Sequence, residues 1–264
     1  MEVKQIDERV YEIVCGTAHY REVNSKVKEL VSRGAEKVIL KDVCGQRYIG
    51  TGIREKVKID LYGTAGNDLG IFLYGPEIEV FGNAQDGVGN TMREGKIVVR
   101  GHAGDVCGYG MRGGKVYIEG DVGYRVGIHM KGYKDLVPTF IVGGKAGNFF
   151  GEYMAGGILI LLGLNRKPGE DIVGDYCATG MHGGVIFVRG EVPKRYLGKE
   201  VKVFELDSKD RELLTQELKG FSEAFSIPLD EILSEPFTKI VPVSARPYGR
   251  LYAHRWGIAA GLIK

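Results

Sequence analysis

The sequence predicts an all-β solenoid, a right-handed parallel β-helix of about seven coils with an α/β cap before it and a helical extension after it. Three observations carry that expectation. From Gly63 the chain repeats every 19 residues, so that 63–81, 82–100 and 101–119 align without a gap and Gly120 opens a fourth unit. Two columns stay apolar when the units are set beneath one another: Leu69, Val88, Cys107, Val126, Phe150, Cys177, and four steps later Leu73, Met92, Met111, Met130, Met154, Met181. The strand closing each unit then alternates, giving Ile78 and Val80, Ile97 and Val99, Val116 and Ile118, Phe140 and Val142, Leu159 and Leu161, Ile186 and Val188. Side chains alternate across a strand, so these residues face a common interior. One unit cannot bury its own apolar face, and stacking is what makes it stable.

Each element follows from that frame. The turns open on Gly-Asn/Asp-rich stretches, and the 41 glycines among 264 residues suit corners that need positive φ or leave no room for a Cβ. The fourth and sixth units carry extra residues at 133–137 and 164–171, which loop out of a solenoid without breaking the stack. Ile49, Gly50 and Ile53 match the columns one unit upstream of Gly63. At about 4.8 Å per stacked strand the body is roughly 30 to 35 Å long.

The ends read differently, dividing the chain into a cap over 1–43, a β-helix over 44–200 and an extension over 201–264. Within the cap, 10–14 and 37–43 are strand-like, and Asn24 or Ser25 is placed to cap a short helix carrying Val27, Leu30 and Val31, with Gly34 ending it. In the extension, 207–225 sets Leu214, Leu218, Phe221 and Phe225 on one helical face, Pro228 stops it, and a second short helix covers 228–233. From Glu235 the chain is expected to be extended. The outward strand positions are polar in the early coils (Glu77, Glu79, Lys96, Arg100, Lys115, Glu119) but become Ile158, Ile160, Leu162, Val185 and Phe187 in the fifth and sixth. Such a patch calls for a cover, and the C-terminal helix follows directly.

Composition narrows the function. A net charge of +2 with both signs interspersed gives no reason to expect nucleic acid or a membrane surface, no apolar run reaches 18 residues, and the N-terminus lacks an apolar signal core, so the expected location is cytoplasmic. Cys15, Cys44, Cys107 and Cys177 show no paired spacing, and the last two fall in an apolar column. No metal site is expected from them or from His19, His102, His129, His182 and His254, which share no ligand spacing. The run Gly108-Tyr109-Gly110-Met111-Arg112-Gly113 satisfies the dinucleotide fingerprint but precedes a repeat strand rather than a helix. Asp68, Asp86 and Asp105 read as one column, either an acidic groove or turn residues bonding their own backbone, and the second reading needs no ligand.

The coils GNDLGIFLYGPEIEVFG, NAQDGVGNTMREGKIVVRG, HAGDVCGYGMRGGKVYIEG and GGKAGNFFGEYMAGGILILLG resemble the G-x-G-x-G repeat domain that closes the large subunit of glutamate synthase, over about residues 42–190. The resemblance implies a right-handed β-helix without catalytic residues of its own, packed between a glutaminase domain and a flavin domain. Met1 is followed by Glu2 rather than a nucleophilic cysteine, and a flavin barrel does not fit in this length, so the chain looks like a stand-alone form of that domain. Its implied partners are a glutamine amidotransferase-like subunit and an FMN-binding synthase subunit. FMN and Fe–S are expected in the latter and no cofactor in this chain. The same β-helix resembles the β-helical subunit of formylmethanofuran dehydrogenase, a molybdenum or tungsten enzyme. A lone β-helix binding a ligand in the acidic groove and a homo-oligomer stay open as alternatives. The candidate contact residues are Tyr133, Lys134, Asp135 and Leu136 in the first insertion, and Arg250, Tyr252, His254, Arg255 and Trp256 in the tail, because Arg and aromatic side chains favour interfaces.

Overall fold

The computed structural model describes residues 1–243. Twelve strands form one continuous sheet in nearly sequential order. Strand β1 (Glu2–Asp7) and β2 (Val10–Val14) make an antiparallel hairpin. Helix α1 (Tyr20–Ser32) follows, and then the parallel ladder β3 (Lys37–Cys44), β4 (Lys58–Thr64), β5 (Tyr74–Phe81), β6 (Glu94–Val99), β7 (Lys115–Ile118), β8 (Thr139–Val142), β9 (Ala155–Leu161) and β10 (Gly183–Arg189). Six turns lie between β4 and β10, and the less regular passage from β3 to β4 through Ile49 and Ile53 makes one more.

The 19-residue period is the register of this ladder. Ile78 pairs with Ile97, Ile97 with Val116, Val116 with Phe140, Phe140 with Leu159 and Leu159 with Ile186, so the inward residues stack as the alternation requires. Both apolar columns are buried throughout and belong to one core with the strands. A second face closes through single bridges, Ala65 to Ala84 and then Ala103, Val122, Ala146 and Val173 in series. The insertions at 133–137 and 164–171 leave the stack intact.

The cap differs in detail from the sequence reading. Helix α1 starts four residues earlier than Asn24, with His19 as N-cap accepting the Arg21 N–H. Asn24 instead lies within the first turns and its Nδ2 donates to the Arg47 carbonyl at 2.8 Å, a tertiary contact that spacing does not reveal. Gly34 does end the helix, with φ +90° and its N–H on the Val31 carbonyl. Val23, Val27, Leu30 and Val31 close the N-terminal mouth of the core.

At the other end, β11 (Val201–Phe204) precedes α2 (Ser208–Phe225), the short α3 (Leu229–Ile232) and β12 (Phe237–Pro242). Strand β12 lies antiparallel between β10 and β11, so part of the stretch expected to be merely extended is paired sheet. Helix α2 lies over the outward apolar patch: Leu214, Leu218, Phe221 and Phe225 form a second core with Val98, Tyr117, Ile141, Ile158, Ile160, Leu162, Val185 and Phe187. Burying each such helix side chain contributes about 1.5–3 kcal/mol. Gly220 sits where the helix crosses Tyr117 most closely, since a Cβ there would lie 2.6 Å from the phenol oxygen.

Candidate functional surface

The polar side chains of the coil turns form ladders that stitch one coil to the next. Asp105 N–H donates to Asp86 Oδ1 at 2.9 Å and Tyr124 N–H to Asp105 Oδ1 at 2.8 Å. On a parallel track, His102 N–H donates to Asn83 Oδ1, Asp121 N–H to His102 Nδ1 and Lys145 N–H to Asp121 Oδ1. Burial works against ionising Asp121, yet the Lys145 N–H, the Asn165 amide and the nearby Lys145 charge hold its carboxyl below the usual carboxylate range. Asp68 does not share the column of Asp86 and Asp105. It stands one step further along, with Gly87, Val106, Arg125, Phe149 and Tyr176 at positive φ, and its Oδ1 accepts from Asn90 Nδ2 at 2.9 Å. The three-carboxylate groove is therefore corrected: in the gap-free 19-residue register Asn67, not Asp68, stands in the column of Asp86 and Asp105, and those two carboxylates accept backbone N–H groups of the next coil.

The remaining chemistry-bearing residues are dispersed. Cys107 and Cys177 are buried and burial pushes each thiol up to about 12, while Cys15 rises to about 11 for the same reason. No group of three or more His, Cys, Asp or Glu able to hold a metal ion is found among the described residues. A surface depression beside the second insertion is lined by Arg166, Lys167, Glu170, Asp171, Glu191 and Glu235. Its charges largely answer one another or their neighbours, as in Lys145–Glu170, Arg166–Glu235 and the Tyr196 hydroxyl on Asp171.

The first insertion folds back across the solenoid. Tyr133 and Leu136 exchange backbone hydrogen bonds at 3.1 and 3.0 Å, placing Lys134 and Asp135 at an exposed tip. Leu136 lies over Gly113 of the preceding coil, and the Arg93 guanidinium, one coil further back, sits 5.0 Å from the Tyr133 ring and 5.5 Å from that of Tyr74. Four of the candidate contact residues thus occupy one exposed corner. Arg250, Tyr252, His254, Arg255 and Trp256 lie outside the described residues.

That corner holds more than the inward periodicity predicts. Tyr109, His129 and Tyr153 come from successive coils and form an exposed ladder, Tyr109 edge-on to His129 at 5.8 Å and His129 stacked on Tyr153 at 5.5 Å. Its signal stands one and two positions before the inward Leu/Met column, in residues that the core pattern does not constrain. The position after that column reads Tyr74, Arg93, Arg112 and Lys131 on four successive coils. Further round, Phe149 stacks on Tyr176 at 5.1 Å, and Arg125 lies over Phe149 while pairing with Glu152.

A stacked parallel ladder with a filled interior, carrying aromatic and charged ladders on its exposed faces, defines the protein as a β-solenoid. The GXGXG motif family model matches residues 12–243, and the chain belongs to that family. It is 47% identical over 242 residues to Uncharacterized protein MJ1350 of Methanocaldococcus jannaschii, a match covering 89% of this chain and 93% of that one. Among solved structures it is similar in fold to a chain of the formyltransferase/hydrolase complex FhcABCD from Methylorubrum extorquens in complex with methylofuran, with a TM-score of 0.62, 20% identity, and 80% and 79% of the two chains covered. No helix among the described residues is long and apolar enough to cross a membrane.

Proposed function

We propose that this chain is a non-catalytic scaffold and interface subunit of a multi-subunit enzyme complex. The observation that carries the reading is the use of its polar turn residues: the carboxylates and the imidazole that line the coils bond the next coil's backbone, and what remains exposed is a set of rigid aromatic and charged faces. In the first specific form, the complex is a split glutamate synthase. The β-helix then stands between a glutamine amidotransferase-like subunit and an FMN and Fe–S synthase subunit, a form supported by membership in the GXGXG motif family. In a second form, the chain serves as the β-helical subunit of a formylmethanofuran dehydrogenase assembly, a reading favoured by the shared fold with a chain of the formyltransferase/hydrolase complex.

Purifying the tagged protein from its native cells and identifying the co-purifying chains separates the forms. An amidotransferase-like chain with a flavin and Fe–S chain selects the first, and molybdopterin-enzyme subunits select the second. Recovery of the protein alone overturns the scaffold role.

A further inference from the structure

The corner built by coils one to five combines two ladders, one basic and one aromatic. Arg93, Arg112 and Lys131 are held in line because their N–H groups donate in turn to the carbonyls of Leu73, Met92 and Met111, so the coil spacing of about 4.8 Å sets their separation. Among the described residues neither Arg93 nor Arg112 has a carboxylate partner; Arg93 rests on the rings of Tyr74 and Tyr133. Lys134 adds a further cation at the tip of the insertion, 5.5 Å from the Tyr133 ring. Beside this basic line, Tyr74, Tyr109, Tyr133 and Tyr153 are each between 39% and 48% exposed, which is unusual for so many aromatic rings on one corner.

Resting on the scaffold reading, we propose that this corner is the docking site for an acidic face of a partner subunit, with the tyrosines as anchors and the Arg93–Arg112–Lys131 line as the charged complement. Arg and Tyr dominate interface energetics, and Arg93, already oriented on two aromatic rings, loses little freedom when it meets a carboxylate. The same charges argue against other occupants. A second copy bringing its own corner would set like charges against each other across a two-fold axis. A single-stranded nucleic acid needs free ring faces to stack its bases, whereas His129 and Tyr153 are stacked on one another.

The test compares the tagged full-length protein, Arg93→Glu/Arg112→Glu and a control of equal charge change at the other end, Lys4→Glu/Arg33→Glu, each checked for native circular dichroism and melting. Purified from native cells, the corner variant should recover at least about tenfold less partner while the control matches wild type. A carbodiimide, which couples amines to carboxylates in direct contact, should join Lys134 or Lys131 of the wild-type protein to acidic residues of that partner. Equal recovery by the corner variant overturns the docking site and leaves the scaffold reading standing. Absence of any partner with wild type overturns both. Partner loss on nuclease treatment, or cross-links only between copies of this chain, assigns the corner to the other occupants and overturns the proposal.

Discussion

At the residue scale, the backbone conformation and the space beside each Cβ decide what the repeat tolerates. Gly70 and Phe72 both lie at positive φ, at +68° and +55°. At Gly70 a Cβ would come within 2.5 Å of Ile97 Cδ1, whereas Phe72 points to solvent and is 56% exposed. Gly70→Ala should therefore cost about 2–4 kcal/mol, from left-handed strain together with overpacking, while Phe72→Gly should stay within about 1 kcal/mol of wild type. Urea denaturation of the two variants measures the contrast, and equal losses would show that neither strain nor crowding sets Gly70 apart. Ala178 occupies the place of Gly70 in the last coil at φ 59°, where the strand that follows β10 in the sheet, β12, runs antiparallel rather than continuing the parallel ladder. The same inward logic makes the cysteines inert: with a thiol reagent at neutral pH only Cys44, the exposed one, should react in the native protein, and all four on unfolding. The raised thiols also fix the alkaline behaviour. Their protonated form is favoured by the fold, so stability is intact below the ordinary value of 9.0 and falls as pH climbs toward about 12.

At the element scale, what the sequence made legible is what depends on periodicity. The apolar face of α2 and the outward patch from Ile158 to Phe187 were both readable, and each implied the other. Strands β1 and β11 were not, because an edge strand whose side chains are largely exposed has no alternation to display. The start of α1 at His19 was hidden for a related reason: an imidazole accepting a single long hydrogen bond is a weak capping signal beside Asn and Ser. Nor did spacing reveal how α2 is fastened. Asp207 and Asp210 form a reciprocal capping box at its first turn, and the Asp210 carboxylate also accepts from the buried Lys239 Nζ at 2.7 and 2.8 Å, tying the helix to β12. Lys239→Ala leaves that carboxylate buried without its cation and should cost about 3–5 kcal/mol. Thermal unfolding followed by circular dichroism reads the loss, and binding of a hydrophobic dye at temperatures below the main transition would show α2 lifting from the patch first. A variant that melts like wild type would mean the capping box alone secures the helix.

At the scale of the whole molecule, stability should be close to a sum over neighbouring coils, since each turn touches chiefly the turns before and after it. The fold was legible for that reason: a local pattern repeated several times fixes a global one. The candidate surface was less so. An exposed ladder such as Tyr109–His129–Tyr153 joins residues whose outward direction is set by left-handed turns, and turn conformation is poorly written in side-chain identity when Phe72, Thr91 and His129 adopt the conformation that Gly110 does. The additive picture can be tested by removing one coil. Residues 63–81 carry no insertion and lie outside the face that α2 covers, and Tyr62, already stacked on Phe81 at 4.5 Å, occupies the equivalent position at the end of β4. Joining Tyr62 to Gly82 thus replaces Phe81 by Tyr62 and stacks β4 directly on β6, with Ile59 and Leu61 meeting Ile97 and Val99 in the register that Ile78 and Val80 now hold. The 19-residue deletion should keep a cooperative transition and a β-type spectrum with a melting temperature lower by several degrees, on the order of 2–8 °C. Deleting 64–81 instead, 18 residues, leaves Gly63 as one extra residue in the corner before Gly82 with the paired residues of β4 and β6 unchanged, and that protein should fold as well, since the corners at 133–137 and 164–171 absorb longer insertions. If both deletions unfold the chain, its stability is set by contacts that span distant coils rather than by nearest-neighbour stacking.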